Sequence, residues 1–252
     1  MRLLVLADGE VGRRVCEVLR DRGVVPSVLV VTDGGGAAIT NVFVDPPPVE
    51  VLAWSELREE AVLGRVRGLD LDVGLLAWWP HVIPSEVRSL CGRVFLNLHP
   101  SLLPHGRGKD PNFWALVERT PFGVTIHHVT DEVDAGDIAF QRELTVTWTD
   151  DGESLHRRAQ DALVELLDAN LERIVTGDVP AVPQPQGFPT HRRADLDPRS
   201  QIDLDAPIAP RALLDVLRAR TFTGHPGAWF DDDGERFEVR IRIEPRRDGD
   251  RP

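Results

Sequence analysis

Short apolar runs alternate with helical patterns through the N-terminal part of the chain. Leu3–Ala7 is apolar throughout, and after a turn that contains glycine the apolar positions Val15, Val18 and Leu19 follow helical spacing. Further apolar runs lie at 28–31 and 73–77, a largely apolar run lies at 93–96, and a second helical stretch covers 55–66. Strands separated by helices predict an α/β fold with a doubly wound, mostly parallel sheet.

The pattern changes twice in the rest of the chain. A helix is expected from Pro111, alternating strands at 122–129 and 138–146, and a long amphipathic helix at 154–175. Residues 177–206 are rich in Pro, Gln, Asp and Arg, which predicts an extended linker. A helix at 209–218 and a hairpin around 231–234 follow, and the tail after Pro245 is expected to fray. We therefore predict an N-terminal domain at 1–176, a linker at 177–206 and a small C-terminal subdomain at 207–252.

The composition argues against several classes of protein. A net charge of −12 disfavours an extended nucleic-acid surface, which needs an excess of basic residues. No apolar stretch is long enough to cross a membrane, and the apolar run at the N-terminus is too short for a signal peptide. Cys16 and Cys91 lie in neither a Cys-x-x-Cys pair nor a metal-like spacing, so a reducing, cytoplasmic location is expected.

The segment Asn-Leu-His-Pro at 97–100 carries the strongest chemical signal. Asn97 and His99 are two residues apart, so on an extended backbone their side chains point to the same side. They follow an apolar run, which places them at the carboxyl end of a strand, where open α/β sheets bind ligands. An amide can stabilise an oxyanion and an imidazole can transfer a proton, whereas a lone histidine is more often a buried structural residue.

An acidic loop at 131–137 offers a carboxylate to orient such an imidazole. Its acidic residues are Asp131, Glu132, Asp134 and Asp137, and spacing alone does not choose among them. His127 and His128 precede the loop on an alternating strand, so one of them is expected to face the site and the other to face away. Neither is expected to bind a metal, because the sequence does not assemble three or four convergent ligands.

Two glycines and two tryptophans indicate function less specifically. Gly9 and Gly12 form only a Gly-x-x-Gly, which predicts a tight turn rather than a dinucleotide or phosphate loop. Trp78 and Trp79 follow a strand end, where they either pack in the core or form a wall for a flat ligand.

Together these motifs resemble the signature of the folate-dependent formyltransferases. The resemblance rests on Asn-Leu-His-Pro-Ser-Leu-Leu-Pro at 97–104 and Val-Asp-Ala-Gly-Asp-Ile at 133–138. It extends through Gly-Arg-Gly-Lys-Asp-Pro-Asn-Phe-Trp-Ala at 106–115 and Pro-Phe-Gly-Val-Thr-Ile at 121–126, and it resumes at 202–205 and 217–230. Within that superfamily the chain is most similar to the sugar N-formyltransferases.

The resemblance implies roles for individual residues. Asn97 would stabilise the oxyanion, His99 would act as general acid or base, and Asp134 would be the catalytic aspartate. The implied formyl donor is N10-formyltetrahydrofolate, and no metal is required. Its pterin is expected near two loops, whose residues are Ala77, Trp78, Trp79, Pro80, His81, Val82 and Ile83 in the first and Thr130, Asp131 and Val133 in the second.

The resemblance also implies an acceptor, the amino group of a nucleotide-linked amino-deoxysugar. The C-terminal part is too short for the tRNA-binding domain of methionyl-tRNA formyltransferase, and residues 7–12 lack the phosphate loop of glycinamide ribonucleotide transformylase. Ser101, Arg107 and Lys109 are expected to contact this acceptor, while a solvated loop explains the two basic residues equally well. The C-terminal region is expected to form a homodimer.

Three alternative functions stay open. In the first alternative, the enzyme formylates another small amine, derived from an amino acid or from the purine pathway. In the second, it is a hydrolase that releases formate from formyltetrahydrofolate. Finally, the chain is a non-catalytic folate-binding protein on the same scaffold, which the presence of all three implied catalytic residues disfavours.

Overall fold

The computed structural model describes residues 1–44, 47–48 and 50–246. The chain divides into two units, each built from separate parts of the sequence. The first unit comprises Met1–His99, Val124–Arg142 and Gln160–Pro185, and the second comprises Pro100–Gly123, Glu143–Ala159 and the residues from Gln186 onward. The three-part division at residues 176 and 206 stays a prediction.

Helices and strands alternate along the chain. In order they are β1 (Leu3–Ala7), α1 (Gly9–Asp21), β2 (Val28–Val31), α2 (Ala37–Thr40), β3 (Glu50–Ala53), α3 (Trp54–Leu57), α4 (Glu60–Arg67), β4 (Leu71–Ala77), α5 (Ser85–Arg88), β5 (Cys91–His99), β6 (Arg107–Gly108), α6 (Pro111–Glu118), β7 (Phe122–His128), β8 (Ile138–Leu144), α7 (Gly152–Thr176), β9 (Thr190–His191), α8 (Arg193–Ser200), α9 (Pro210–Ala219), β10 (Ala228–Asp232) and β11 (Glu235–Val239).

Within the described residues, seven strands form one sheet in the order β3-β2-β1-β4-β5-β7-β8. The five strands from β3 to β5 in this order pair in parallel, whereas β7 pairs antiparallel with β5. The predicted mostly parallel α/β sheet is therefore confirmed. Its central strands are continuous apolar runs because helices cover both faces of such a sheet.

Helix α1 packs closely on this sheet through one apolar face. Val11, Val15 and Leu19 are spaced four residues apart and are all buried. A Cβ at Gly12 would lie 3.1 Å from the backbone of both Ala7 and Ala77, so glycine permits this close approach. Gly9 has a φ of 59°, which fits the predicted tight turn before the helix.

Two predictions of local structure are wrong. The helix predicted at 55–66 is divided into α3 and α4, because Glu59 is extended, with φ −71° and ψ 133°, and starts a new helix. The segment predicted as extended contains α8, where Pro198 lies inside the helix. There the backbone N–H of Arg192 donates to Asp195 at 2.7 Å, and Leu196 is buried. The cap and the buried face together outweigh the helix-breaking tendency of proline.

In the second unit, α6 packs against α9, and a β-hairpin follows. Arg218 of α9 is buried, donates to the carbonyl oxygen of Thr147 at 2.7 Å and pairs with Asp215 at 2.9 Å. β10 and β11 form the predicted hairpin, and Asp233 and Gly234 at its turn have φ of 47° and 83°. These angles are typical of the type I′ turns that Asp-Gly pairs favour.

In the part of the chain that the structure describes, no helix has both the length and the apolar character needed to span a bilayer. The sequence predicts that the tail after Pro245 frays, and residues 247–252 of this tail lie outside the described residues.

Candidate active site

The end of β5 places Asn97 and His99 on one face of the sheet. β7 runs antiparallel beside it, with Asn97 opposite His127 and His99 opposite Thr125. Residues directly opposite each other in an antiparallel pair point to the same face. This face therefore carries an amide and two imidazoles, and both histidines are buried.

Asp134 adds a carboxylate to this face. Its Oδ2 lies 3.6 Å from His99 Nδ1, and its Oδ1 lies 3.4 Å from both Asn97 Nδ2 and His127 Nε2. Asn97 Nδ2 is also 3.1 Å from His127 Nε2. The side chains of His99, His127 and Asp134 are at most 12% exposed, so these groups interact with little screening by water.

The hydrogen bonds of His127 indicate its protonation pattern. Its Nδ1 lies 2.9 Å from the backbone carbonyl oxygen of His128, which can only accept, so Nδ1 carries the proton. In the neutral ring Nε2 is then an acceptor and receives a hydrogen bond from the Asn97 amide. His127 thus orients the amide from one side.

The loop that carries Asp134 is held by contacts to its backbone. Asp134 has a φ of 51°, a left-handed conformation that aspartate tolerates better than most residues. The side-chain amide of Gln184 donates to the carbonyl oxygens of Asp134 at 2.9 Å and Gly136 at 2.6 Å. A Cβ at Gly136 would lie 1.9 Å from the carbonyl oxygen of His128, so only glycine fits there.

The other acidic residues of the loop have different surroundings. Asp131 pairs with Arg88 at 2.6 Å while its side chain is 85% exposed. Glu132 is exposed, and Asp137 accepts a hydrogen bond from the backbone N–H of His128 through its own carbonyl oxygen at 2.9 Å. Geometry therefore selects Asp134 as the carboxylate beside His99, a choice that residue spacing leaves open.

The first predicted donor loop follows the carboxyl end of β4. Ala77 is the last, buried residue of that strand, and Trp78 has a φ of 62°. Pro80 and Val82 are exposed, whereas the Ile83 side chain is buried in the hydrophobic core. For Ile83 the backbone, rather than the side chain, is the part available to a ligand.

Aromatic rings pack together in the same loop. Trp79 meets Trp54 edge to face at 5.4 Å between ring centroids, and His81 stacks on Trp54 at 5.8 Å. Trp79 also packs against the hydrophobic core, so much of its ring has the core role that the sequence allows as one of two alternatives. Its Nε1, however, is buried without a hydrogen-bond acceptor in the described part of the chain. A ligand carbonyl or ring nitrogen would satisfy this N–H.

The second predicted donor loop is exposed. Thr130, Asp131 and Val133 all lie at the surface, and the Thr130 hydroxyl donates to the carbonyl oxygen of Glu132 at 3.2 Å. This hydrogen bond, together with the Asp131 ion pair, shapes the turn that leads into Asp134.

The predicted acceptor contacts belong to the second unit. Ser101 and Arg107 are buried, while Lys109 is exposed and donates its backbone N–H to the carbonyl oxygen of His191 at 3.0 Å. A Cβ at Gly108 would lie 2.1 Å from that same oxygen, so β6 and β9 approach closely there. Lys109 therefore fits the alternative of a solvated loop residue, whereas the buried Arg107 does not.

Across the described residues, no group of three or more His, Cys, Asp or Glu side chains is arranged to hold a metal ion. Cys16 and Cys91 are free thiols. Burial raises the pKa of each to about 12, so both are protonated and poorly nucleophilic at neutral pH.

Comparison with known families decides the class of protein. Residues 1–171 match the model of the family described as formyl transferase, which is more than half of the chain. The chain belongs to the formyl transferase family. Residues 195–245 match a second model, the N-formyltransferase dimerization C-terminal domain.

Solved formyltransferase structures share this fold. A 4-N formyltransferase from Francisella tularensis has a TM-score of 0.81 at 20% identity, covering 97% of this chain and 98% of its own. A likely sugar N-formyltransferase from Mycobacterium tuberculosis has a TM-score of 0.79 at 22% identity, covering 98% and 99%. A formyltransferase from Anoxybacillus kamchatkensis, with a TM-score of 0.56 at 23% identity, covers 77% and 87%, and was solved with UDP-4,6-dideoxy-4-formamido-L-AltNAc and tetrahydrofolate.

Sequence reasoning does not identify two residues that shape the site of this formyltransferase. Alternation on β7 shows that His127 or His128 faces the site, but only the pairing with β5 decides for His127. Gln184 lies in the segment predicted as a linker, and its contacts with the loop of Asp134 are too distant in sequence for any local signal. A polar residue that satisfies buried backbone carbonyls has no motif of its own.

Proposed function

We propose that this formyltransferase transfers the formyl group of N10-formyltetrahydrofolate to the amino group of a nucleotide-linked amino-deoxysugar. The observation that carries the transfer is the approach of Asp134 Oδ2 to His99 Nδ1 at 3.6 Å, beside the amide of Asn97. These residues supply the carboxylate, imidazole and hydrogen-bond donor that acyl transfer to an amine requires. The folate supplies an activated formyl group when it is bound.

Asn97 and His99 act on the formyl oxygen and on the protons. The acceptor attacks as a neutral amine, so that a C–N bond forms and negative charge develops on the formyl oxygen. The Asn97 amide and a protonated His99 donate hydrogen bonds to that oxygen. As the C–N bond to the donor breaks, the departing nitrogen takes up a proton that matches the one lost by the attacking amine.

Asp134 supports His99 from the opposite side of the ring. Its carboxylate faces Nδ1, which leaves Nε2 as the ring nitrogen to meet the reacting oxygen. The negative charge favours the protonated imidazole and fixes its orientation. In the same way His127 holds the Asn97 amide, so that its donor is positioned before the substrate arrives.

The loop after β4 fits the donor implied by the family. Trp79 Nε1 is buried and lacks an acceptor in the described part of the chain, and a pterin ring carries both carbonyl and ring-nitrogen acceptors. Trp78, in its left-handed conformation, and the exposed backbone around Pro80 would hold the ring from the strand ends. In the second loop, Thr130, Asp131 and Val133 would contact it mainly through their backbone.

A nucleotide-linked amino sugar is supported as the acceptor by the fold comparisons. The Francisella and Mycobacterium proteins, named as a 4-N formyltransferase and a likely sugar N-formyltransferase, align with this chain over nearly their whole length. The match to a dimerization domain at 195–245 supports a homodimer formed by this region. Exposed apolar side chains there include Leu204, Ile208, Leu214 and Phe237. The free thiols are consistent with a reducing cytoplasm.

A mass-spectrometric acceptor screen tests the proposal. The protein is incubated with N10-formyltetrahydrofolate and UDP- or dTDP-linked 3-amino and 4-amino sugars, with free amino acids and glycinamide ribonucleotide as competing amines. We expect one added formyl group on a nucleotide sugar and none on the other amines. Formylation of amino acids alone would reject the sugar acceptor, and folate turnover without any formylated amine would indicate a hydrolase.

A further inference from the structure

A proline-rich segment that follows α7 contacts the loop that carries Asp134, residues 129–137 between β7 and β8. We call residues 180–184 the strap; prolines lie at 180 and 183, and Pro185 follows directly. Proline fixes its own φ and disfavours helix in the residue before it, so this sequence favours an extended strap. The strap, the loop and His99 all belong to the first unit.

The strap is anchored on both sides of the loop. Before the loop, His128 Nε2 lies 2.8 Å from the carbonyl oxygen of Pro180, which can only accept, so the ring donates this hydrogen bond. After the loop, Ile138 and Val182 exchange two backbone hydrogen bonds of 2.8 and 2.9 Å. Loss of one of these three hydrogen bonds leaves the other two, so the strap is a stable support beside the loop.

Gln184 attaches the strap to the middle of the loop. The residue is only 6% exposed, and its Nε2 donates to the carbonyl oxygens of Asp134 at 2.9 Å and Gly136 at 2.6 Å. A side-chain amide has two N–H donors, which is one for each carbonyl. Removal of this amide would take a donor from two carbonyl oxygens that are largely shielded from water, which is unfavourable.

Holding the carbonyl group of Asp134 also holds its side chain. The carbonyl carbon and Cβ are bonded to the same Cα, so a backbone rotation that releases the carbonyl changes the direction of the carboxylate. The φ of 51° at Asp134 is unfavourable for a residue with a Cβ and persists only where surrounding contacts maintain it. Asp134 Oδ2 lies 3.6 Å from His99 Nδ1, so a shift of the loop by about 1 Å would weaken this contact.

We propose that Gln184 is a positioning residue for formyl transfer, because it holds the carboxylate of Asp134 toward the ring of His99. It acts through the backbone of the loop and not on the reacting atoms. This inference rests on the proposed function for the reaction that is affected. Its geometric part, in which Gln184 sets the orientation of Asp134, is measurable without any substrate.

Steady-state kinetics of the full chain test the effect on the reaction, with N10-formyltetrahydrofolate and the amine identified by the acceptor screen. Gln184→Met keeps the length of the side chain but has no N–H donor. We expect kcat to fall about tenfold to hundredfold, because a small misplacement of a catalytic group has this effect, while the acceptor KM changes less than about twofold. Gln186→Met is the matched control; Gln186 is exposed, and kcat should stay within about twofold.

A double-mutant cycle separates positioning of Asp134 from a merely structural role. Asp134→Asn removes the carboxylate charge itself, so adding Gln184→Met to this variant should lower kcat by less than about a further threefold. Effects that multiply in full in the double variant would overturn the proposal, as would an unchanged kcat in a folded Gln184→Met. Circular dichroism and thermal unfolding show whether the variant folds, and Gln184→Asn, which keeps a shorter amide, serves if it does not.

Nuclear magnetic resonance of the substrate-free protein tests the geometry itself. The nitrogen chemical shifts of the His99 ring report whether a carboxylate faces Nδ1, and His99→Ala identifies the signals. In Gln184→Met these shifts should move toward those of Asp134→Asn, whereas in Gln186→Met they should equal those of the unmodified protein. Unchanged shifts in Gln184→Met would overturn the proposal whatever the acceptor screen gives.

The two proposals can fail separately. If a nucleotide sugar is formylated while Gln184→Met keeps its kcat, the role of Gln184 is rejected and the proposed function stands. If the His99 shifts move as expected but no nucleotide sugar is formylated, the proposed function fails and the role of Gln184 in orienting Asp134 stands.

Discussion

The polar groups at the end of β5 and the guanidinium of Arg220, in the segment after α9, differ in how their hydrogen bonds are satisfied. In the first unit, Asn97, His99, His127 and Asp134 form a first set, in which every side chain has another member of the set within 3.6 Å. In the second unit, Arg220 is buried, makes a single hydrogen bond at 3.3 Å among the described residues, and lines a cavity of about 470 Å³ together with Asp110, Asp197 and Phe222.

This difference separates two uses of a buried polar group. Groups that hold one another are fixed in place before substrate arrives, which suits stabilisation of charge in a transition state. Groups that lack a protein partner favour a ligand that supplies one, which suits recognition. Substitutions in the first set should therefore change mainly kcat.

The largest effect is expected from removing the imidazole of the first set. His99→Ala should lower kcat for formyl transfer by about 10²–10⁴-fold, because both proton transfer and a donor to the formyl oxygen are lost. Glu132→Gln changes an exposed carboxylate in the neighbouring loop and should leave kcat within about twofold. Steady-state kinetics with a formylated-product assay measures both. A loss of less than about tenfold in His99→Ala would contradict a catalytic role.

A pair of glycine substitutions tests how rigidly the loop of Asp134 is held. Gly136→Ala places a Cβ 1.9 Å from the carbonyl oxygen of His128, so the backbone must shift and the free energy of unfolding should fall by about 1–3 kcal/mol. Gly64→Ala in α4 meets no atom within 4 Å and should raise it by about 0.5–1 kcal/mol. Urea denaturation compares the two. If both substitutions changed the free energy of unfolding equally, the backbone around Gly136 could make room for the added Cβ. The loop would then not hold Asp134 rigidly in place.

The neighbouring histidines of β7 test which face carries the chemistry. His127→Phe removes the acceptor that orients the Asn97 amide, and kcat should fall about tenfold with little change in acceptor KM. His128→Phe instead loses the hydrogen bond from Nε2 to the carbonyl oxygen of Pro180, 2.8 Å long, and should reduce stability without lowering kcat. Kinetics and thermal unfolding of both variants are needed. If His128→Phe lowered kcat and His127→Phe did not, the orienting role would belong to His128 and not to His127.

The smallest effect is a pH dependence at His156, which lines the same cavity as Arg220. Burial, and then the nearby charge of His225, lowers the pKa of His156 from its ordinary value of 6.5. The unfolded chain therefore binds the proton more readily, so stability is lost as the pH falls from about 6.5 through the lower pKa of the folded state. His156→Gln should reduce the difference in Tm between about pH 8 and pH 5. An unchanged difference would show that His156 does not contribute.

Much of the fold follows from local pattern. The parallel sheet is visible as apolar runs between helices because its strands are buried on both faces. Asn97 and His99 can be placed together because side chains alternate along a single strand. Pairing between strands has no such local code, which is why the choice between His127 and His128 stays open until β7 is seen beside β5.

The residues that sequence reasoning misses act through space rather than through a motif. α8 depends on an Asp195 cap and a buried Leu196, and these outweigh the proline that argues for an extended chain. Gln184 and Asp134 are separated by 50 residues, and nothing in the intervening sequence announces their contact. Arg220 likewise belongs to no motif, and only its burial and its position in the wall of a cavity distinguish it from other arginines.

The antiparallel pairing of β5 with β7 has a consequence for how this protein can change over time. Because strand side chains alternate, deletion of one residue from β7 near Ile126 would turn the ring of His127 to the opposite face and break its contact with Asn97. Insertions and deletions in these two strands should therefore be as harmful as loss of His99 itself. Natural variation here is expected to proceed by substitution alone, while length changes accumulate in the loops.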